Sequence, residues 1–471
     1  MIATTEKQAN AGHNPQPALD LEDAVPEAAM GVPAHLTESA ASNPYGSRPA
    51  CFSSNFQEGL FVVTTTFAVA QNSILSGALT VMTSKVQESL NMNSSEVTWL
   101  VAAQGLTAGA IYEKPSRRKN RAFACFSAGN PIGFVLGALI GGIATDIASW
   151  RASIWVITIV YAFLTCAAYF TTPKDAEQSV GKFNTATLSQ MDWLGAFLAV
   201  TGISTFTAAF TLAPDATNGW QTPYVPVLLV IGVVFVTAFL YWQSVFKHPL
   251  MPLWVWKDRN FALLVASLCL GFYGFNDNFF WLSLGFQRVY VNSPLEVAVK
   301  FLPAAIGGTC VNFLAAMIMH RVSNKLLSIL GATAVVSANV LLSASSKSIS
   351  FWALAFPAQL LMVLGQDIAF CVTNLYVMSS MPSEQQSVAG GMFLTVTRFS
   401  ATVGLGISTT VYAAAGGTTE VSRSVPWRPY QSTFWVSLVG SVFALFLACF
   451  LTIGKQGNKQ KPGEREKVTE V

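Results

Sequence analysis

The feature that most constrains this chain is a succession of apolar stretches, each about as long as a lipid bilayer's hydrocarbon layer is thick. Long runs lie near residues 60–82, 122–144, 152–171, 194–213, 224–246, 260–285, 297–319, 326–345, 351–378, 388–413 and 433–453. A twelfth, Val97–Tyr112, has only sixteen residues. A helix rises about 1.5 Å per residue, so about twenty apolar residues cross roughly 30 Å of hydrocarbon. No water reaches the backbone there, and a spanning segment must satisfy its own N–H and C=O groups, as a helix does. Only 11% of the 471 residues are charged, too few to clad a water-facing surface. The expected fold class is an all-α polytopic membrane protein with about twelve spans, eleven full-length and one short.

Basic residues orient these spans. With the amino terminus inside, nineteen of the 27 Lys and Arg residues fall on inner segments and seven (Lys85, Arg151, Arg288, Lys300, Lys347, Arg423 and Arg428) on outer ones, with Arg398 inside a span. The positive-inside bias then puts both termini in the cytoplasm. It also puts Asn93-Ser94-Ser95, a glycosylation sequon, outside. Residues 1–55 carry six prolines and six acids, which suits a disordered cytoplasmic tail, and they contain no apolar core of a cleavable signal peptide. Residues 454–471 form a basic cytoplasmic tail that follows the same bias, with no nucleic-acid role.

One span has a distinctive texture. Lys114, Arg117, Arg118, Lys119 and Arg121 give way to an apolar run in which Gly129, Gly133, Gly137 and Gly141 recur every fourth residue. Gly142 follows the last, and Pro131 lies between the first two. A spacing of four returns to nearly the same helix face, so the glycines make a groove into which a second backbone fits closely. The groove serves packing, and a smooth seam also permits movement.

Ionisable groups inside apolar segments are few, and each is a candidate for function. Asp277 sits in the polar, aromatic-flanked run Gly274-Phe275-Asn276-Asp277-Asn278-Phe279, Asp367 follows Gly365-Gln366, and Arg398 lies well inside its span. A carboxyl group in a low-dielectric setting can take up and release a proton near neutral pH, as proton coupling requires. The plainer alternatives are a solvated Asp277 near the outer end of its helix, and an Asp367 paired with Arg398. Gln71, Asn72 and Gln104 complete the polar candidates. Phe272, Tyr273, Phe275, Phe279, Phe280 and Trp281 either line a pocket for a flat organic compound or serve as lipid-facing and packing residues. The chain has no GxxxxGK[ST] phosphate loop, its four histidines lie outside the spans, and its seven cysteines show no CxxC pair. Neither an enzyme nor a cofactor or metal is expected, and the span cysteines read as small packing residues.

The stretch Pro115–Arg151 resembles the fifth helix of the major facilitator superfamily, and more narrowly that of the fungal drug:proton antiporters with fourteen spans. Their antiporter motif ends in Gly-Pro-x-x-Gly-Gly, which Gly137-Ala138-Leu139-Ile140-Gly141-Gly142 matches except at Ala138. Trp150-Arg151, Asp192-Trp193-Leu194-Gly195, His248-Pro249-Leu250 and Pro382-Ser383-Glu384-Gln385-Gln386 extend the resemblance over residues 56–453, closest to the aminotriazole- and borate-resistance subgroup. Two departures stand out. Gln71 and Asn72 occupy a position where many such antiporters carry an acid. After Thr98–Gln104, Ala110-Ile111-Tyr112 runs directly into Glu113-Lys114-Pro115, so that about two helices of the family pattern are lacking, through a real deletion or through skipped coding sequence.

The resemblance implies a major facilitator-type bundle divided into a truncated amino-terminal bundle (56–171), a linker with two extra spans (172–259) and a carboxyl-terminal bundle (260–453). It implies a monomeric secondary transporter of the plasma membrane that exports a small organic compound, a drug, toxin or fungal secondary metabolite, in exchange for protons. Passage of a small inorganic solute such as borate or ammonium, or a non-transporting remnant, are the alternatives.

Overall fold

The eleven full-length expected spans each correspond to an α-helix among the described residues. The computed structural model describes residues 55–90, 117–171, 192–213, 216, 219–246, 251, 253–319, 321–381, 386–417 and 425–453. Among them the helices are α1 (Asn55–Leu90), α2 (Arg117–Ile147), α3 (Trp150–Thr171), α4 (Trp193–Leu212), α5 (Tyr224–Val245), α6 (Arg259–Arg288), α7 (Pro294–Ile318), α8 (Asn324–Ser343), α9 (Ala355–Ser379), α10 (Gln386–Ala414) and α11 (Arg428–Cys449). The short segment 97–112, Asn93, Gln104, Lys114, His248–Leu250, Pro382–Gln385 and both tails lie outside the described residues.

Seven of these helices, α3, α4, α5, α7, α8, α9 and α11, are apolar enough to cross a membrane by composition alone. The other four, α1, α2, α6 and α10, are the longest, at 36, 31, 30 and 29 residues. Their polar residues would be costly against lipid, and α1 and α6 turn many of them inward: Thr80, Thr83, Gln87, Asp277, Asn278 and Arg288 are all buried. Helix α6 is the extreme case, with every residue from Asp277 to Arg288 buried. A helix enclosed on all sides is a pillar rather than a wall. In contrast, α5 turns Val227, Val230, Val234, Tyr241 and Val245 outward, as a lipid-facing helix does.

Helix α2 packs on α1 through its glycines. A Cβ added at Gly129, Gly133 or Gly137 would lie 2.5, 2.5 and 1.9 Å from the carbonyl oxygens of Thr66, Ala70 and Ile74, and one at Gly141 would lie 2.8 Å from the Cα of Ala78. Both rows advance by four residues, so the backbones touch over about 18 Å. Residue numbers rise together across the contact, so α1 and α2 run the same way. Gly142 faces elsewhere, toward Pro294 and Leu295 of α7. Helix α7 begins where α2 ends and runs against it. It opens on a capping box in which Ser293 and Glu296 satisfy each other's backbone N–H groups, and Asp146 of α2 accepts a bond from Leu295 N at 3.3 Å.

The opposite end of the bundle is fastened by two carboxylates at helix starts. Asp192 caps α4 by accepting from Gly195 N at 2.7 Å, and it ties α5 down through Trp242 Nε1 (2.8 Å) and Gln243 Nε2 (2.6 Å). Asp258 caps α6 through Asn260 N and accepts from the Tyr376 hydroxyl at 2.7 Å.

Some expectations give way here. Residues 83–90 continue α1 rather than forming a loop, and Arg288, expected in an outer loop, ends α6 with 1% exposure. Cys166, Cys310 and Cys449 lie on exposed faces rather than packing inside, because a small apolar side chain is equally at home against lipid. Phe279, Phe280 and Trp281 are buried, and none of them faces lipid.

Candidate functional site

The residue that organises the interior is Asp277, 0% exposed on α6. Ser408 of α10 donates to its Oδ1, Ser437 of α11 donates to Oδ2 at 3.1 Å, and Trp281 one turn along α6 donates Nε1–H to Oδ1 at 3.0 Å. The same indole lies 2.8 Å from the Ser408 hydroxyl, closing a three-helix ring of polar groups. All the partners are neutral donors. The alternative of a solvated acid near a helix end does not hold: Asp277 is fully buried and lies eleven residues before the end of α6, about 16 Å from Arg288.

The surroundings explain why this acid stays put. One turn before it, the Tyr273 ring occupies a notch between Gly404 of α10 and Gly440 of α11, where added Cβ atoms would come within 1.9 and 2.9 Å of the ring. One turn after it, Trp281 stacks on Tyr412 with ring centroids 4.4 Å apart. Beside it, Asn278 donates to Asn339 Oδ1 of α8 at 2.6 Å.

A second polar node joins α9 to α7. Asn312 Nδ2 donates to Asp367 Oδ2 at 2.8 Å, and the Cys371 thiol donates to Asn312 Oδ1 at 3.6 Å. Arg398, half-buried on α10, forms no ion pair with Asp367, so that pairing is not realised. Asp277, Asp367 and Arg398 share no hydrogen bond and stand on three different helices. Gln71 is half-buried on α1, and its carbonyl accepts the hydroxyl of Tyr161 from α3. Asn72 and Pro131 lie in α1 and α2, but their side chains are outside the described set. Among the described residues no three His, Cys, Asp or Glu side chains gather as a metal site would need.

A third node was not foreseen. Where α1 and α6 end side by side, Ser283 donates to the Thr80 carbonyl at 2.7 Å and Arg288 donates to Gln87 Oε1. Both side chains of the second pair are buried. With Asp146 on the start of α7, these bonds close one end of the bundle between α1–α2 and α6–α7. An arginine at the close of an apolar run looks like a boundary residue, and only the spacing of Ser283, Gln287 and Arg288 along one face hinted otherwise.

Comparison with known proteins agrees with this architecture. The family model of the Major Facilitator Superfamily matches residues 114–405. Among curated proteins, the chain is 27% identical over 335 residues to the low affinity ammonium transporter of Saccharomyces cerevisiae, covering 71% of this chain and 64% of that one. It is 29% identical over 312 residues to the efflux pump terJ of Aspergillus terreus, covering 65% and 58%. It is 24% identical over 306 residues to the aminotriazole resistance protein of Saccharomyces cerevisiae, covering 64% and 55%. The chain thus spans about three-fifths of the length of the curated relatives it matches. With a family match over more than half its length and an all-helical, membrane-spanning bundle, the chain belongs to the Major Facilitator Superfamily.

Proposed function

We propose that this chain is a secondary transporter that exports a small organic compound from the cell in exchange for protons, in the manner of the fourteen-span fungal drug:proton antiporters and with two of their helices lacking. The observation that carries this reading is the setting of Asp277. A carboxyl group buried among neutral hydroxyl and indole donors has no fixed cation to hold it in one charge state, and a coupling site must change charge state in each cycle. Asp277 is the proton carrier in this reading. Asp367 with Asn312 is a second proton or substrate site, and Arg398 and Gln71 are polar groups available to the substrate.

The movement belongs to the two groups of helices, α1–α3 and α6–α11, rocking about the buried site. The glycine row keeps α1 and α2 together as one rigid piece, while the bonds Ser283–Thr80, Arg288–Gln87 and Asp146–Leu295 break as one end opens. The charge bias makes this end the outer face, with both termini cytoplasmic and the plasma membrane as the location.

A second reading is entry or exit of ammonium, favoured by the similarity to the protein bearing that name. Expression in a host stripped of its own efflux pumps tests both, using the chain as it stands and a version with two helices inserted between Ala110 and Lys114. Resistance to at least one organic toxin supports export. A change in methylammonium tolerance alone supports the second reading. A chain that reaches the membrane and alters neither is a non-transporting remnant.

A further inference from the structure

At the end of the bundle where α6 stops and α7 starts, a small, partly open cleft lies between α6, α7, the 345–354 loop and the start of α11. Its floor is aromatic: Phe286 and Trp427 are buried, and Tyr290 and Phe351 are half-buried. Their rings form one packed set, with Phe286 5.9 Å from Phe351 and Tyr290 5.6 Å from Trp427. Lys300 of α7 reaches into it, its Nζ 4.7 Å from the Phe286 centroid and 5.9 Å from those of Tyr290 and Phe351. Ser346 and Ser350 line the cleft, Ser350 is exposed, and the Ser346 hydroxyl lies 3.0 Å from that of Ser348.

Lys300 makes no ion pair within the protein, and Glu296 one turn away acts on it only through space. The acid one turn away, Glu296, is committed to the α7 cap, accepting from Asn292 Nδ2 at 2.7 Å and Ser293 N at 3.1 Å, and it forms no ion pair with Lys300. The ammonium group donates instead to the neutral Asn292 Oδ1. A partly desolvated cation whose direct contacts are ring faces and an amide, with its nearest acid committed to a helix cap, attracts an anion more strongly than an exposed lysine does. The aromatic walls favour a flat apolar body, and the serines supply further donors to an acid's oxygens. A cationic ligand would meet the lysine's own charge.

We infer that this cleft is a binding site for an aromatic carboxylate of one or two rings, its carboxylate on Lys300 and its ring against Phe286, Tyr290 and Phe351. The site is separate from Asp277, and binding there needs no transport.

Equilibrium titration of the purified full chain with 2-naphthoate, 2-naphthalenemethanol and 2-naphthylmethylamine tests it, because the three share a ring system and differ in charge. The acid is expected to bind about tenfold or more tightly than the alcohol, and the amine not at all. Lys300→Met removes the acid's advantage. Ser350→Trp, which fills the mouth without touching Lys300, abolishes binding of the acid. Equal affinity for acid and alcohol, preference for the amine, or acid binding unchanged in Ser350→Trp overturns the inference. Thermal unfolding of each variant shows that it is folded. If Lys300→Met is not, the charge series on the unaltered chain and the Ser350→Trp variant decide the matter.

Discussion

At the scale of single residues, the account turns on a buried acid whose ligands are other residues' hydroxyls. Ser408 and Ser437 lie 131 and 160 positions from Asp277 in the chain, and each turns its hydroxyl toward a carboxylate that has no cation beside it. Removing both hydroxyls at once, in a Ser408→Ala/Ser437→Ala variant, leaves the carboxylate with the Trp281 indole alone. A buried acceptor that loses its donors costs about 1–3 kcal/mol each. The double variant is therefore expected to unfold at a clearly lower temperature, and an unchanged thermal transition of the purified protein would contradict the geometry. Sequence reasoning could single out Asp277, because an ionisable residue in an apolar run is conspicuous. It could not name the two serines, since serines are common in spans and nothing local marks which one faces an acid. Arg288 escaped for a related reason: only the enclosure of α6 on every side shows that its charge is buried.

At the scale of elements, the α1–α2 pair is held by backbone proximity rather than by side-chain bulk. The contact at Gly137 leaves no room even for a methyl group, since the Ile74 carbonyl lies 1.9 Å from where a Cβ would go. Gly137→Leu is expected to abolish transport, with the protein still inserted in the membrane in reduced amount. Ile143→Leu, on the exposed face of the same helix, is expected to leave both unchanged. Surface expression together with uptake or efflux distinguishes these outcomes, and wild-type transport by Gly137→Leu would sink the packing account. The glycine row was readable from spacing alone, because a period of four on a helix admits one geometric meaning. Its partner was not. Thr66, Ala70, Ile74 and Ala78 also step by four, yet they differ in size and chemistry, and only the backbone contact shows them to be one surface. The row's placement against α1, with Gly142 alone turned to α7, likewise depended on which helix came to lie on which face.

At the scale of the whole molecule, the helical character of the long apolar runs was legible because lipid leaves a chain so few choices: a spanning segment must satisfy its own backbone, as a helix does. The composition of individual helices adds a layer, since the four that are too polar to face lipid comfortably include the helices carrying the Asp277 and Arg288–Gln87 clusters. In the proposed reading the amino-terminal group lacks two helices of the family pattern. A group of fewer helices encloses less of a transport path, so the version with two helices restored between Ala110 and Lys114 is expected to transport faster than the chain as it stands. Equal rates from equal amounts of membrane protein would show that those helices are dispensable. The most direct test of the central claim is flux of a compound identified in the host screen, measured in proteoliposomes across an imposed pH gradient. The account predicts transport that follows the direction of the gradient, collapses with a protonophore, and falls about tenfold or more in Asp277→Asn, equivalent to roughly 1.4 kcal/mol or more of barrier. Flux that ignores the gradient, or that persists unchanged in Asp277→Asn, would contradict it.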